Sequence, residues 1–311
     1  MNKRKEIVRD IDLNQIDNFN NLLESMGKSG GFNGRLVHDG YVILKKMIND
    51  KKSINVLTFP ASLVATGTRG IIATMLKENL FDLVITTCGS IDHDIARSSG
   101  NYYKGDFNLN DIELDKQGYH RLGNIVIPKT SYGKLIEKKI QNILLKMYNS
   151  GIRTVSASKI INEIGKYNNK NSILYWANKN SIPVIVPGIM DGAVGNQIWL
   201  FNQLHNDFSI DIIEDQQIIA NKLFNAKKTG ALVLGGGISK HHAIWWNQFK
   251  GGLDYAVYIT TAIESDGSLS GARSNEAISW GKIARNARHV TINSDATVIL
   301  PLLIKGLLSR F

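Results

Sequence analysis

From residue 54 onward, short β-branched apolar runs alternate with longer segments whose apolar residues recur at helical spacing. Ile54 to Phe59 (INVLTF) reads as a strand and Ser62 to Leu80 as a helix. Asp82 to Thr87 (DLVITT) reads as a second strand ending at the small residues Cys88 and Gly89. Tyr132 to Gly151 is helical and closes on a glycine suited to the left-handed position after a helix. Ser172 to Asn180 is helical and precedes the strand Ile182 to Gly188. The helix Asp215 to Lys228, the strand Ala231 to Gly237, the helix Ser239 to Phe249, the strands Asp254 to Thr260 and His289 to Asn293, and a last helix from Ala296 to Ser309 complete the pattern. Such alternation implies right-handed crossovers and a parallel sheet covered on both faces. The predicted fold class is therefore α/β: a doubly wound, Rossmann-like parallel sheet with helices on both faces and an N-terminal helical extension. Residues 1–50, which lack strand signals, form that extension, and residues 51–311 form a single α/β domain.

Composition narrows the picture only modestly. A chain of 311 residues, 43% hydrophobic, is long enough for a substantial core, which excludes a small disulfide scaffold and a disordered tail. One cysteine, Cys88, permits neither an intrachain disulfide nor a cysteine-based zinc site and suits a reducing compartment. The apolar run Ala296 to Ile304 is too short to span a bilayer, and the start, MNKRKEIVRDIDLNQ, has no apolar signal region, so a cytoplasmic protein without membrane association is expected. Lys and Arg outnumber Asp and Glu by 37 to 27, a net charge of +10 that suits nucleic acid, phosphorylated ligands or an acidic partner alike. The basic runs (Lys3 to Lys5, Lys51 to Lys52, Lys138 to Lys139, Lys227 to Lys228) are short and lack interleaved aromatics, so they read as solvated faces and no nucleic-acid partner is expected.

In an open α/β sheet, ligands bind beyond the carboxyl ends of the strands, and four such ends carry unusual residues. Thr86 to Asp94 runs through glycine into two carboxylates flanking His93, which an ordinary turn with Asx caps also explains. VPGIMDGAVGNQIW sets Asp191 among Gly188, Gly192 and Gly195, as a tight loop also would. ALVLGGGISKHH places three glycines after a buried strand and before a helix that Ser239 can cap, a helix start that favours an anion such as a dinucleotide pyrophosphate. It departs from GxGxxG because Lys240 stands where the last glycine would be. His241 and His242 are adjacent, point to different sides of a helix and make a poor metal pair. A helix-terminal polar pair and a catalytic base both remain open. The fourth segment, Thr260 to Lys282, is long for a connection and carries Glu264, Asp266, Arg273, Glu276 and Trp280 before Lys282. Burial beside an indole lowers a lysine pKa, whereas neighbouring carboxylates raise it.

DGSLSGARSNEAISWGK, LGGGISKHH, TTCGSIDHD and VYITTA together resemble deoxyhypusine synthase, most closely its archaeal branch, from about Thr58 to the C-terminus. The resemblance implies an NAD-dependent transferase that moves the aminobutyl group of spermidine, or a related polyamine, to one lysine of the translation factor 5A precursor through an enzyme-lysine imine. It makes 51–311 the NAD-binding catalytic domain and implies a cytoplasmic homotetramer with sites at a subunit interface, with no metal. By matching motif, it implies Lys282 as nucleophile and His241 as the base that deprotonates the donor amine, with Trp280 and Glu276 on the polyamine. For NAD it implies Ser62, Thr87, Cys88, Gly89, Asp191, Gly235, Gly236, Gly237, Thr261, Ala262, Asp266, Ser270 and Asp295.

Three positions depart from the eukaryotic members, where carboxylates stand in place of the donor-contacting Asn196 and Leu269 and a Glu in place of His93. Each lost charge-assisted hydrogen bond to a polyamine is worth ~1.5–3 kcal/mol, so donor preference shifts, with agmatine a candidate, or another acid such as Glu264 or Asp92 compensates. A homospermidine synthase, with putrescine as acceptor, keeps the same chemistry. A non-enzymatic basic scaffold would need neither the lysine of WGK nor the glycine-rich loop.

Overall fold

The computed structural model describes residues 6–309, so the basic run Lys3 to Lys5 lies outside the described residues. The central sheet has six parallel strands: β1 (Ser53–Phe59), β2 (Leu83–Thr86), β3 (Val184–Ile185), β4 (Lys228–Leu234), β5 (Leu253–Thr260) and β6 (Ile283–Asn293). Their spatial order is β6-β5-β4-β1-β2-β3. The strands read as continuous apolar runs because both faces are covered, and all four residues of β2 are buried. The chain winds outward from β1 through β2 to β3, then returns to the other side of β1 at β4. Connections therefore diverge in opposite directions from the β1/β4 pair and open a crevice at its carboxyl end. This is the doubly wound, Rossmann-like α/β fold that the alternation of strand and helix predicts.

One face of the sheet is covered by the helices Phe32–Asn49 and Ala296–Leu308, whose Tyr41, Leu44, Met47 and Leu303 are buried against Val257 and Ile292. The other is covered by Ile212–Phe224 and Gly237–Gln248, which bury Ile219, Leu223, Ala243 and Ile244 against Val56, Leu83, Ala231 and Val233. Helix Phe32–Asn49 is thus laid directly on the sheet, although it falls within the first 50 residues.

Several elements differ from the expectation. The helix expected over Ser62 to Leu80 is two, Ala61–Ala65 and Thr68–Lys77; Thr66, in extended backbone, breaks it, its hydroxyl donating to the Leu63 carbonyl and to Thr68 Oγ1. Lys228 opens β4 instead of closing the preceding helix. A three-stranded antiparallel sheet (Tyr103–Lys104, Tyr119–Leu122, Ile125–Pro128) is inserted after β2, built from strands of two to four residues, too short for a periodic signature even where Val126 and Ile127 are buried. Among the described residues, no helix is long and apolar enough to cross a membrane.

Candidate active site

The glycine-rich segment lies where the crevice opens. Gly235 and Gly237 have φ of +70° and +69°, a region that other residues enter at a cost, and a β-carbon on Gly236 would lie 2.1 Å from Ser270 Oγ. Helix Gly237–Gln248 starts there, its unpaired N–H groups directed to the crevice. The other positions expected to bind NAD collect on the same edge. Ser62 is exposed on the short helix after β1, and Thr87, Cys88 and Gly89 open helix Cys88–Ser99 after β2. Asp191 is exposed after β3, and Thr261 and Ala262 follow β5. Asp295, after β6, caps the last helix by accepting from Thr297 N at 2.6 Å. Asp266 stands apart on the long loop, where it accepts from Ser268 N at 2.7 Å. Burial pushes the Cys88 thiol up to about 12, which makes it a packing group and no nucleophile. Exposed polar groups around a glycine loop and a helix start at a switch point fit an extended dinucleotide.

Lys282 immediately precedes β6, and its carbonyl accepts from Leu253 N at 3.0 Å. Its side chain returns along helix Gly237–Gln248 and is only 8% exposed. Nζ lies 5.8 Å from the Trp245 ring centroid and 5.1 Å from that of Trp280, so aromatic faces replace water around the ammonium. Below it, a cavity of about 150 Å³ is lined by Lys240, Ile244, Tyr258, Leu269, Ala272, Arg273, Glu276, Ala277, Trp280 and Lys282. Glu276 is the one carboxylate in this lining and forms no ion pair within 4 Å among the described residues. His241 stacks on Trp245 with ring centroids 5.7 Å apart. Burial and then the charge of Lys282 hold its imidazole below the ordinary histidine range, so it is neutral near pH 7 and able to accept a proton. His242 faces the other side, edge-on to Trp246.

The fold thus brings Lys282, Trp280, Glu276 and Leu269 to one cavity with His241 at its flank. Asn196 is not part of it; it is exposed on the first turn of helix Ala193–Leu204.

The carboxylates around His93 are structural. Thr86 to Asp94 is not a capped turn, because Cys88–Ser99 is a helix and Asp92 and Asp94 lie buried in its middle. Asp92 accepts from Ala193 N and Val194 N, both at 2.9 Å, and from the Tyr132 hydroxyl at 2.9 Å, capping the helix that carries Asn196. Asp94 does the same for helix Ile173–Lys179, accepting from Ile173 N at 3.1 Å and Leu174 N at 3.0 Å, with Arg69 Nε at 2.6 Å. His93 Nδ1 pairs with the Tyr102 hydroxyl at 2.8 Å, and burial pushes its pKa down to about 4. Glu264 pairs with Arg273 at 2.7 Å. Neither acid considered as compensation for Asn196 and Leu269 therefore lines the cavity. Sequence reasoning missed Lys240, Trp245 and Tyr258. Helical phase offered a signal for Lys240, which shares the buried face of Ala243, Ile244 and Asn247. Among the described residues, no group of three or more His, Cys, Asp or Glu can hold a metal ion.

A glycine loop at the switch point of a doubly wound sheet, adjoining a dry lysine between indoles, defines an α/β enzyme of the dinucleotide-binding class. Within that class the comparisons are specific: the family model "Deoxyhypusine synthase" matches residues 21–307. A "Probable deoxyhypusine synthase" of Picrophilus torridus is 50% identical over 301 residues, covering 96% of both chains. Another, of Thermoplasma acidophilum, is 47% identical, covering 97% of this chain and 98% of that one. Among solved structures, a "putative deoxyhypusine synthase" from Entamoeba histolytica superposes with a TM-score of 0.64 at 20% identity, covering 96% of each chain. The unliganded structure of AgrE shares the fold at a TM-score of 0.54 and 16% identity, over 90% of this chain and 34% of that one. The chain belongs to the deoxyhypusine synthase family.

Proposed function

We propose that this protein transfers the aminobutyl group of spermidine, or of a related polyamine, to a lysine of the translation factor 5A precursor, with Lys282 as the covalent carrier. The observation that carries the reading is the Lys282 side chain itself, 8% exposed and flanked by Trp245 and Trp280 on a cavity that contains one carboxylate. NAD, when bound, would supply the reversible hydride chemistry that the transfer requires. Gly235 to Gly237, Ser270, Ser62, Thr87, Gly89, Asp191, Thr261, Ala262 and Asp295 would hold it, the helix start meeting the pyrophosphate. His241, neutral beside the cavity, takes the proton from the donor amine. Lys282 Nζ then adds to the donor imine carbon and expels 1,3-diaminopropane, leaving the butyl fragment as an imine on the enzyme. Trp280 and Trp245 exclude water, which would hydrolyse that imine, and Glu276 pairs with the distal ammonium. The acceptor lysine displaces Lys282 in the same way.

The exposed indoles of Trp245 and Trp280 beside Lys282 support a homotetramer whose site is closed by a neighbouring subunit, and the reading includes a cytoplasmic location. The single cavity carboxylate also favours a donor with fewer charges to satisfy, so agmatine is a second donor reading. Purified protein with NAD is incubated with spermidine or agmatine, with the factor precursor, with putrescine or with neither acceptor. Deoxyhypusine on the precursor with spermidine is the expected product. Transfer only to putrescine, or no NADH with any donor, would overturn the assignment.

A further inference from the structure

Lys240 is a buried charge that the mechanism above leaves without a task. It is 1% exposed, and among the described residues no carboxylate lies within ion-pair distance of it. Its Nζ donates to two backbone carbonyls of the long loop, Leu269 O at 2.6 Å and Ala272 O at 2.8 Å, and lies 4.5 Å from the Tyr258 ring centroid. A buried ammonium costs several kcal/mol unless its donors are met, so such a group is retained in a core where its bonds hold something specific.

What it holds is a short, tightly confined stretch. Ser270 lies against Gly236 of the glycine-rich loop, and a β-carbon on Gly271 would come within 2.0 Å of the Ile263 carbonyl. Leu269 and Ala272, the two residues whose carbonyls are bound, line the Lys282 cavity. The far end of the stretch is fixed independently, Ser274 N donating to Thr291 Oγ1 at 2.9 Å. Lys240 itself belongs to helix Gly237–Gln248, next to His241 and one turn past the glycine loop.

We propose that Lys240 is a positioning residue that ties loop 269–272 to the helix bearing His241, and so fixes the donor-binding side chains against the cofactor end of the sheet. The inference rests on the function proposed above for the donor cavity, but the tie itself is a property of the free chain. Burial also pushes the Lys240 pKa down to about 8, partly opposed by Glu276, so the ammonium form predominates at neutral pH.

The test compares Lys240→Met, which keeps the length and removes the donors, with Lys240→Gln, which keeps shorter N–H donors. In Lys240→Met we expect the fold to persist, with far-ultraviolet circular dichroism unchanged, and NAD affinity to weaken because Ser270 belongs to the freed stretch. The KM for the donor in NADH formation should rise at least tenfold, and amide hydrogen exchange across residues 263–275 should speed up at least tenfold while β4 stays protected. Lys240→Gln should fall between wild type and Lys240→Met. Unchanged donor KM and exchange in Lys240→Met would overturn the proposal. So would faster exchange spread through β4 and helix Gly237–Gln248, which is what a general packing role produces. If Lys240→Met does not fold, Lys240→Gln decides: a raised donor KM with faster exchange confined to residues 263–275 supports the proposal, and an unchanged donor KM or exchange that spreads to β4 overturns it. Should the wild type form no NADH with any donor, the function reading fails, yet the exchange measurement still tests the tie.

Discussion

The ammonium of Lys282 is sheltered by indole faces and faces a cavity with a single carboxylate, Glu276. Replacing it with alanine removes the proposed covalent carrier without touching the glycine loop, so Lys282→Ala should abolish transfer while NAD binding persists. Borohydride should trap a butylamine adduct on the wild-type chain at Lys282, and peptide mapping that finds the adduct on another lysine would reassign the nucleophile. In the proposed mechanism His241 acts earlier. His241→Ala should slow NADH formation by ~10²–10⁴-fold, the usual worth of a general base, while borohydride trapping still labels Lys282 at long times. Because burial and Lys282 lower the His241 pKa, the base form survives to more acidic pH than in a free histidine. The acid limb of NADH formation should therefore fall below the ordinary value of about 6.5, and His241→Ala should remove that limb.

At the scale of elements, helix Gly237–Gln248 organises the site. Its start faces the crevice at the carboxyl end of the sheet, Lys240 and His241 occupy its second turn, and Trp245 meets Lys282 one turn further on. Gly236 marks the place where this helix start and the long loop meet. Gly236→Ala would drive a methyl group into Ser270, backbone included, so the loop has to retreat. NAD affinity should fall at least tenfold with the donor KM rising in parallel, by fluorescence titration and initial rates; unaltered NAD binding would mean that Ser270 moves freely. The strands β1, β2, β4 and β5 were legible because burial on both faces writes continuous apolar runs, and the helix start because three glycines follow such a run. The inserted sheet Tyr103 to Pro128 was not, since its strands are only two to four residues long. Asp92 and Asp94 misled for a related reason: a carboxylate that caps a distant helix has partners, Ala193 and Ile173, that no local pattern places beside it. The motif resemblance pointed to Lys282, His241, Glu276 and Trp280, but periodicity alone did not show that Lys282, ahead of β6, folds back against Trp245.

For the whole molecule, one buried and one half-buried imidazole link folding to pH. Burial holds His93 and His242 at about 4, in each case with a nearby positive side chain or ring adding to the effect. In the unfolded chain both return to about 6.5, so between roughly pH 6.5 and 4 the unfolded state binds more protons than the folded one. The depressed values mean that this stability is fully present above about pH 6.5 and is lost as the pH falls towards 4, at roughly 1 kcal/mol per pH unit for each histidine. The buried carboxyl of Asp92, whose pKa is raised, works in the opposite direction at the acid end, so the bare wild-type curve mixes the two. A difference isolates the histidine. In His93→Gln the carboxyl contribution is retained while one imidazole is removed, at the cost of the contact with Tyr102. Urea unfolding measured from pH 7 to 4.5 should therefore give a shallower decline in His93→Gln than in the wild type, by the equivalent of nearly one proton near pH 5. The variant should be less stable at pH 7 and approach the wild type as the pH falls. Parallel curves would show that His93 takes up its proton as readily in the folded protein as in the unfolded chain, and its burial between Tyr102 and Tyr132 would then need a charged partner that no described residue in contact with it provides.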